Sequence, residues 1–120
     1  VANLPRAPVI AIGVAKGAAL STRGIRILAE ESLALLGSTA AVLDIDVIID
    51  DRFLGDDYAA PTRAGAAAAK WAAHRGAWVL DPVYTAKGFA GLLGRDAERE
   101  WSNSQHVVFI HTGGLPSVFV

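Results

Sequence analysis

Residues 8–50 read PVIAIGVAKGAALSTRGIRILAEESLALLGSTAAVLDIDVIID, and the hydrophobic pattern changes period twice along them. Pro8 to Val14 (PVIAIGV) is a short β-branched apolar run broken at Gly13, the pattern of a buried parallel strand. From Ser21 the chain offers Ser or Thr as an N-cap, sets Ile25, Leu28, Ala29 and Leu35 on one helical face, and supplies a stop at Gly37. Val42 to Asp50 (VLDIDVIID) alternates and then runs apolar, which predicts a strand in its second half, closed by Asp50-Asp51-Arg52. Strand, helix and strand in that order imply a right-handed crossover between parallel neighbours.

C-terminal to this unit, residues 51–65 (DRFLGDDYAAPTRAG) carry Gly55, Asp56, Asp57 and Pro61 and predict an irregular connection. Thr62 caps an Ala-rich helix, with Ala64, Ala67, Ala68 and Trp71 on one stripe and His74, Arg75 and Gly76 at its end. Trp78-Val79-Leu80 is a brief apolar step, and Asp81 reads as a cap before Pro82. Ala86 to about Leu93 carries a helical stripe of Phe89, Leu92 and Leu93. His106 to His111 (HVVFIH) is the clearest strand signal in the chain, ending at Thr112-Gly113-Gly114. The alternation predicts a single α/β domain over residues 1–120, a parallel sheet with helices on both faces.

Composition narrows the function classes. With 52% hydrophobic and 19% charged residues, 120 residues suffice for one core. Lys+Arg 11 against Asp+Glu 12 leaves a net charge of -1, so no clustered positive field invites nucleic acid. The absence of Cys excludes disulfides, thiolate chemistry and Cys-based zinc sites; the three His could still bind metal, but no residue is assigned as a metal ligand. Apolar stretches break well short of the ~18 to 20 residues of a bilayer span, so the expectation is a cytoplasmic protein without a membrane partner. A chain that begins with Val1 and holds no Met is expected to be part of something longer.

In an open parallel sheet, ligands bind outside the carboxyl ends of the strands. Three segments rich in functional groups follow predicted strands or apolar steps: Asp50-Asp51-Arg52 leading to Tyr58, Asp81-Pro82-Val83-Tyr84-Thr85, and His111-Thr112-Gly113-Gly114. Each has a plain structural alternative. Asp51 and Asp57 suit solvated turns, Asp81 a cap, Tyr84 an amphipathic ring at the core's edge, and His111 a hydrogen-bonded core position. Two glycines after a strand let the backbone take positive φ or approach a ligand. GxGxxG, Walker A, GxSxG and HExxH are all missing, so spacing stops at an α/β domain with a polar site at its strand ends.

The ordered set DDRF (50–53), DDY (56–58), PT (61–62), LDPVYTAKGFAGLL (80–93) and VVFIHTGGLPSVF (107–119) resembles the C-terminal part of the D-cysteine desulfhydrase and 1-aminocyclopropane-1-carboxylate deaminase family. These are fold type II pyridoxal 5'-phosphate enzymes, related in fold to the tryptophan synthase β-subunit. The resemblance implies the C-terminal portion of a lyase that turns D-cysteine into pyruvate, sulfide and ammonia. It also implies that the cofactor-bearing lysine and the phosphate loop lie in an N-terminal half this chain does not contain; Lys16, Lys70 and Lys87 do not match that lysine. Competence would then need that half or a partner chain, and unpaired sheet edges suggest a homodimer.

By motif position, Tyr84 and Tyr58 match the family's tyrosines facing the small amino-acid substrate, while Thr112, with Gly113, matches the segment facing the pyridine nitrogen. The deaminase branch carries Glu where this chain has Thr85. A hydroxyl there leaves the ring closer to neutral than a carboxylate would, which favours the desulfhydrase branch over cyclopropane deamination. The family's loop around Tyr58 is glycine-rich (GYG-like), whereas this chain reads DDYAAP. A non-catalytic split module that assembles with a partner is the rival from another class.

Overall fold

The structure, a computed structural model, describes residues 8–15, 18–102, 106–114 and 119. Strand β1 (Val9–Ile12) is followed by helix α1 (Ala18–Leu35), a single 3-10 turn (Asp44–Asp46), strand β2 (Val47–Asp50), and helices α2 (Arg63–Gly76) and α3 (Thr85–Ala97). β1 and β2 pair in parallel with Val9 opposite Val47 and Ile12 opposite Asp50, so residues 8–50 do form the β-α-β unit their pattern predicts. The Gly13 N–H extends the ladder to the Asp50 carbonyl at 2.8 Å. α1 packs on β2, and α3 on β1 and α2.

The helix boundaries differ from expectation in physically clear ways. α1 begins at Ala18, so Ser21 and Thr22 lie inside it rather than at its cap. Its predicted apolar stripe is largely uncovered, with Leu28 64% and Leu35 90% exposed, because β2 is too short to cover an 18-residue helix. In α2 the buried positions are Gly65, Ala68 and Ala72; of the predicted stripe of Ala64, Ala67, Ala68 and Trp71, Ala68 is buried and the other three are exposed. Thr62 caps this helix as expected, its Oγ1 accepting the Gly65 N–H at 3.0 Å. α3 runs on to Ala97, four residues past its expected end at about Leu93, and there Arg95 finds acidic partners.

Small side chains set the spacing of the helical layer. Ala68, Ala72, Leu80, Ala86, Phe89 and Ala90 form the buried core, which lets α2 and α3 approach closely. Phe89 lies at its centre, with Trp71, Trp78 and Phe109 rings at 5.7, 5.9 and 5.1 Å.

The expected strand His106–His111 is corrected: residues 106–111 belong to no ladder among the described residues. Val108 is 82% and Ile110 74% exposed, while Phe109 alone tucks into the aromatic cluster. Strand propensity satisfies nothing without a neighbour to take the backbone N–H and C=O groups, and β1–β2 does not extend to this segment. Among the described residues the sheet therefore has two strands, not the larger predicted set.

Candidate functional site

The site grows from Asp81. Its carboxylate Oδ2 accepts the N–H groups of Val83 and Tyr84 at 2.9 and 2.8 Å, and Oδ1 accepts the Thr85 N–H at 2.8 Å. The Thr85 hydroxyl donates to Oδ1 at 2.7 Å and accepts the Asp81 N–H at 2.8 Å. Asp81 thus satisfies the open amides at the start of α3, as its place before Pro82 predicts. Burial pushes this carboxyl up, but the Thr85 hydroxyl and the three backbone N–H groups outweigh it and hold the carboxyl below its ordinary value. Thr85 is 4% exposed, and its proton is committed to Asp81.

This closed ring of bonds fixes Tyr84, which ends half-buried at the mouth of α3. Tyr58 arrives from the other side, on the loop between β2 and α2. The hydroxyls of Tyr58 and Tyr84 hydrogen-bond to each other, with ring centroids 6.3 Å apart at 59°. The Tyr58 hydroxyl raises the Tyr84 phenol above its ordinary value, with burial and the Asp81 charge acting in the same direction. The loop turns immediately after Tyr58, where Ala59 takes φ 62. That is the left-handed conformation for which glycine is suited, at the position where the resembled family carries it.

The HTGG segment joins the same place. Gly114 lies so close to the Asp81 carboxylate that a Cβ there would collide with both Oδ1 and Cγ, and its φ of 95 adds a second reason for glycine. Gly113 has φ 115, and its N–H donates to His111 Nδ1 at 3.3 Å. His111 Nε2 lies 3.3 Å from the Val79 carbonyl, two residues before Asp81. His111 is therefore an exposed, hydrogen-bonded tether and not the core histidine that its sequence context suggested. Thr112 is exposed.

Of the expected residues, Tyr84 and Thr85 bond to Asp81, Gly114 lies against its carboxylate, Tyr58 joins through the Tyr84 hydroxyl, and Thr112 and Gly113 lie between His111 and Gly114. Asp51 and Asp57 are exposed; the Asp57 carboxylate accepts the Tyr58 N–H at 2.7 Å, a turn role. Sequence reasoning missed two features. Asp50, buried at the end of β2, accepts from Arg52 Nε and Nη2 at 2.9 and 2.7 Å and from Arg95 Nη1 at 2.8 Å. Arg52 lies two residues away, but no local pattern predicts Arg95. Lys87 is wholly buried, its Nζ donating to the Leu54 carbonyl at 2.8 Å. Among the described residues no group of three His, Asp or Glu could hold a metal ion, and no helix is long and apolar enough to cross a membrane.

Parallel strands joined through a helix, followed by α2 and α3, define a small α/β segment in which Tyr84, Thr85 and Gly114 meet the Asp81 carboxylate. Over 108 residues, 90% of this chain, the sequence is 32% identical to proteins named D-cysteine desulfhydrase from Salmonella schwarzengrund, Salmonella typhi and Salmonella newport. The resemblance carried by DPVYT and HTGG is thereby borne out. The chain spans about a third of the length of these curated relatives, 33% of each. No protein-family model matches it.

Proposed function

We propose that this chain is the C-terminal portion of a pyridoxal 5'-phosphate-dependent lyase that converts D-cysteine, with water, to pyruvate, hydrogen sulfide and ammonia. The observation that carries the reading is the meeting of the Tyr58 and Tyr84 hydroxyls, two phenols brought together from segments 26 residues apart at the positions expected to face substrate. Similarity to proteins named D-cysteine desulfhydrase supports the same class.

The residues present suit one side of the cofactor. Thr112, exposed between two tethered glycine and histidine neighbours, would direct its hydroxyl to the pyridine nitrogen, with Gly113 leaving room for the ring. Thr85 acts behind them by holding Asp81 and hence the start of α3. Lys87 is spent on the Leu54 carbonyl, and on this reading the lysine that carries the cofactor lies in the part of the relatives that this sequence does not span. Bound pyridoxal phosphate supplies an electron sink for a carbanion next to the amino group. Elimination also needs a proton on the departing sulfur. The Tyr84 phenol, un-ionised at neutral pH, suits hydrogen bonding to the departing sulfur or to the substrate carboxylate.

The rest of the reading follows from size. The exposed Val108 and Ile110 suit a segment that pairs with strands of the N-terminal portion, in a fold type II sheet with helices on both faces. Such an enzyme would work in the cytoplasm as a homodimer. Cyclopropane deamination is disfavoured, because this chain has Thr85 where the deaminase branch carries Glu.

The test joins residues 1–120 to a polypeptide bearing the cofactor lysine. Alone, the chain should take up no covalently bound pyridoxal phosphate after borohydride reduction and peptide mapping. The assembly should, and it should release pyruvate from D-cysteine. Tyr84→Phe in that assembly should keep cofactor binding and lose ~10²-fold in turnover. Normal turnover by this variant would overturn the site, and an assembly that folds without taking up cofactor would make the chain a non-catalytic module.

A further inference from the structure

Lys87 is the largest fully buried side chain of the described residues, together with Asp81. It lies in the first turn of α3, its stem passes Gly65 of α2, and its ammonium reaches the Leu54 carbonyl at 2.8 Å. An ammonium inside a protein loses hydration that one neutral carbonyl only partly replaces. A Met of similar length would fill the same space without that penalty. The charge therefore has to be explained by the bond it makes, and Leu54 opens the turn that leads to Tyr58.

The loop around that bond is tightly fitted. Gly55 has φ 83, and a Cβ there would stand 2.6 Å from Thr62 Cγ2 and 3.5 Å from Lys87 Nζ. The loop backbone is thus held between the Thr62 cap of α2 on one side and the Lys87 ammonium on the other. Lys87 belongs to the same helix whose N-terminal neighbour is Tyr84. One hydrogen bond consequently ties together the two segments whose ends carry the paired phenols.

We propose that Lys87 is a positioning residue: its buried ammonium, anchored on the Leu54 carbonyl, sets the loop so that the Tyr58 hydroxyl meets that of Tyr84. Its bearing on catalysis rests on the proposed substrate-facing role of the two tyrosines, whereas the positioning itself does not. Lys87 touches neither reacting atoms nor cofactor in this role.

The chain contains two tyrosines, so phenolate absorbance in an alkaline titration reports on this pair alone. Of the described charges, Asp81 is the one that acts on Tyr84 besides Tyr58 itself. In Lys87→Met the titration of Tyr84 should move down toward that of an ordinary tyrosine, while helical circular dichroism stays as in the parent. Helix content retained with an unchanged titration would overturn the proposal. If Lys87→Met does not fold, Gly55→Ala decides. It pushes the loop off Thr62 with Lys87 intact, and should relax the phenol pair in the same direction; an unmoved titration there would overturn the role of the loop. In the lyase assembly, Lys87→Met should lower kcat for D-cysteine by ~10-fold with KM changed less than ~2-fold. A shifted titration with kcat unchanged would leave Lys87 as the positioning residue and instead refute the substrate-facing role of the tyrosines.

Discussion

The Thr85 hydroxyl donates to the Asp81 carboxylate at 2.7 Å while the Asp81 backbone N–H donates to that same hydroxyl at 2.8 Å. This reciprocal pair closes the turn that delivers Tyr84. Both residues are buried, so water cannot replace either partner. Thr85→Val should therefore lower stability by roughly 2 kcal/mol, and Thr85→Ser by about 1 kcal/mol or less, read from urea midpoints. Thr85→Glu sets a second carboxylate against the first. Its stability deficit should be largest at neutral pH and shrink as pH falls to about 4, where one of the two carboxyls protonates.

Asp50 predicts an acid limit. The Arg52 guanidinium holds its carboxyl far below the ordinary range, against burial, which raises it, and with Arg95 adding to the lowering. A carboxyl depressed on folding stabilises the native state above its unfolded value of about 3.9, and that contribution is lost as pH falls below it. Asp81, also lowered, acts in the same window. Asp50→Asn should cost roughly 2 kcal/mol at pH 7 and flatten the loss between pH about 4 and 2. A parallel pH dependence in parent and variant would exclude Asp50 as its source.

The phenol pair predicts the opposite limit. Tyr84 is raised on folding, so its contribution is complete below the unfolded value of about 10 and disappears as pH rises beyond it. Tyr58→Phe removes the hydroxyl that causes most of the shift. Tyr84 should then ionise at lower pH in a spectrophotometric titration, with thermal stability at pH 7 below that of the parent and the difference closing as pH rises past about 10.

Ala59 carries backbone strain beside the site. At φ 62 an L-residue with a Cβ is disfavoured by about 1 kcal/mol or more, while Gly costs somewhat more conformational entropy on folding. Ala59→Gly should come out stabilising by about 0.5 kcal/mol, or a small rise in Tm. A clear fall in Tm would show that the loop depends on the Ala59 methyl group for packing.

Part of this architecture was legible in the chain itself. The change of period along residues 8–50 determined the β-α-β unit, because parallel pairing and helix formation act through local apolar spacing. The Thr62 and Asp81 caps were readable too, since a cap needs one short acceptor just ahead of open amides. Tyr58, Tyr84 and Thr112 lie in segments that their place after strands or apolar steps singled out, and the motif resemblance supplied their roles.

Tertiary structure decided the rest. HVVFIH has every local mark of a strand, yet forms no ladder here, because backbone pairing needs a neighbour that local sequence cannot supply. The Asp50–Arg95 ion pair joins residues 45 apart, and the contact between Tyr58 and Tyr84 exists only once α3 packs beside the loop. No local pattern marks Lys87 as buried; only packing shows it against the Leu54 carbonyl. Sequence alone determined the local elements and caps, whose energies depend on neighbours along the chain. The site was decided by packing, because its geometry depends on which distant backbone and side chains exclude water together.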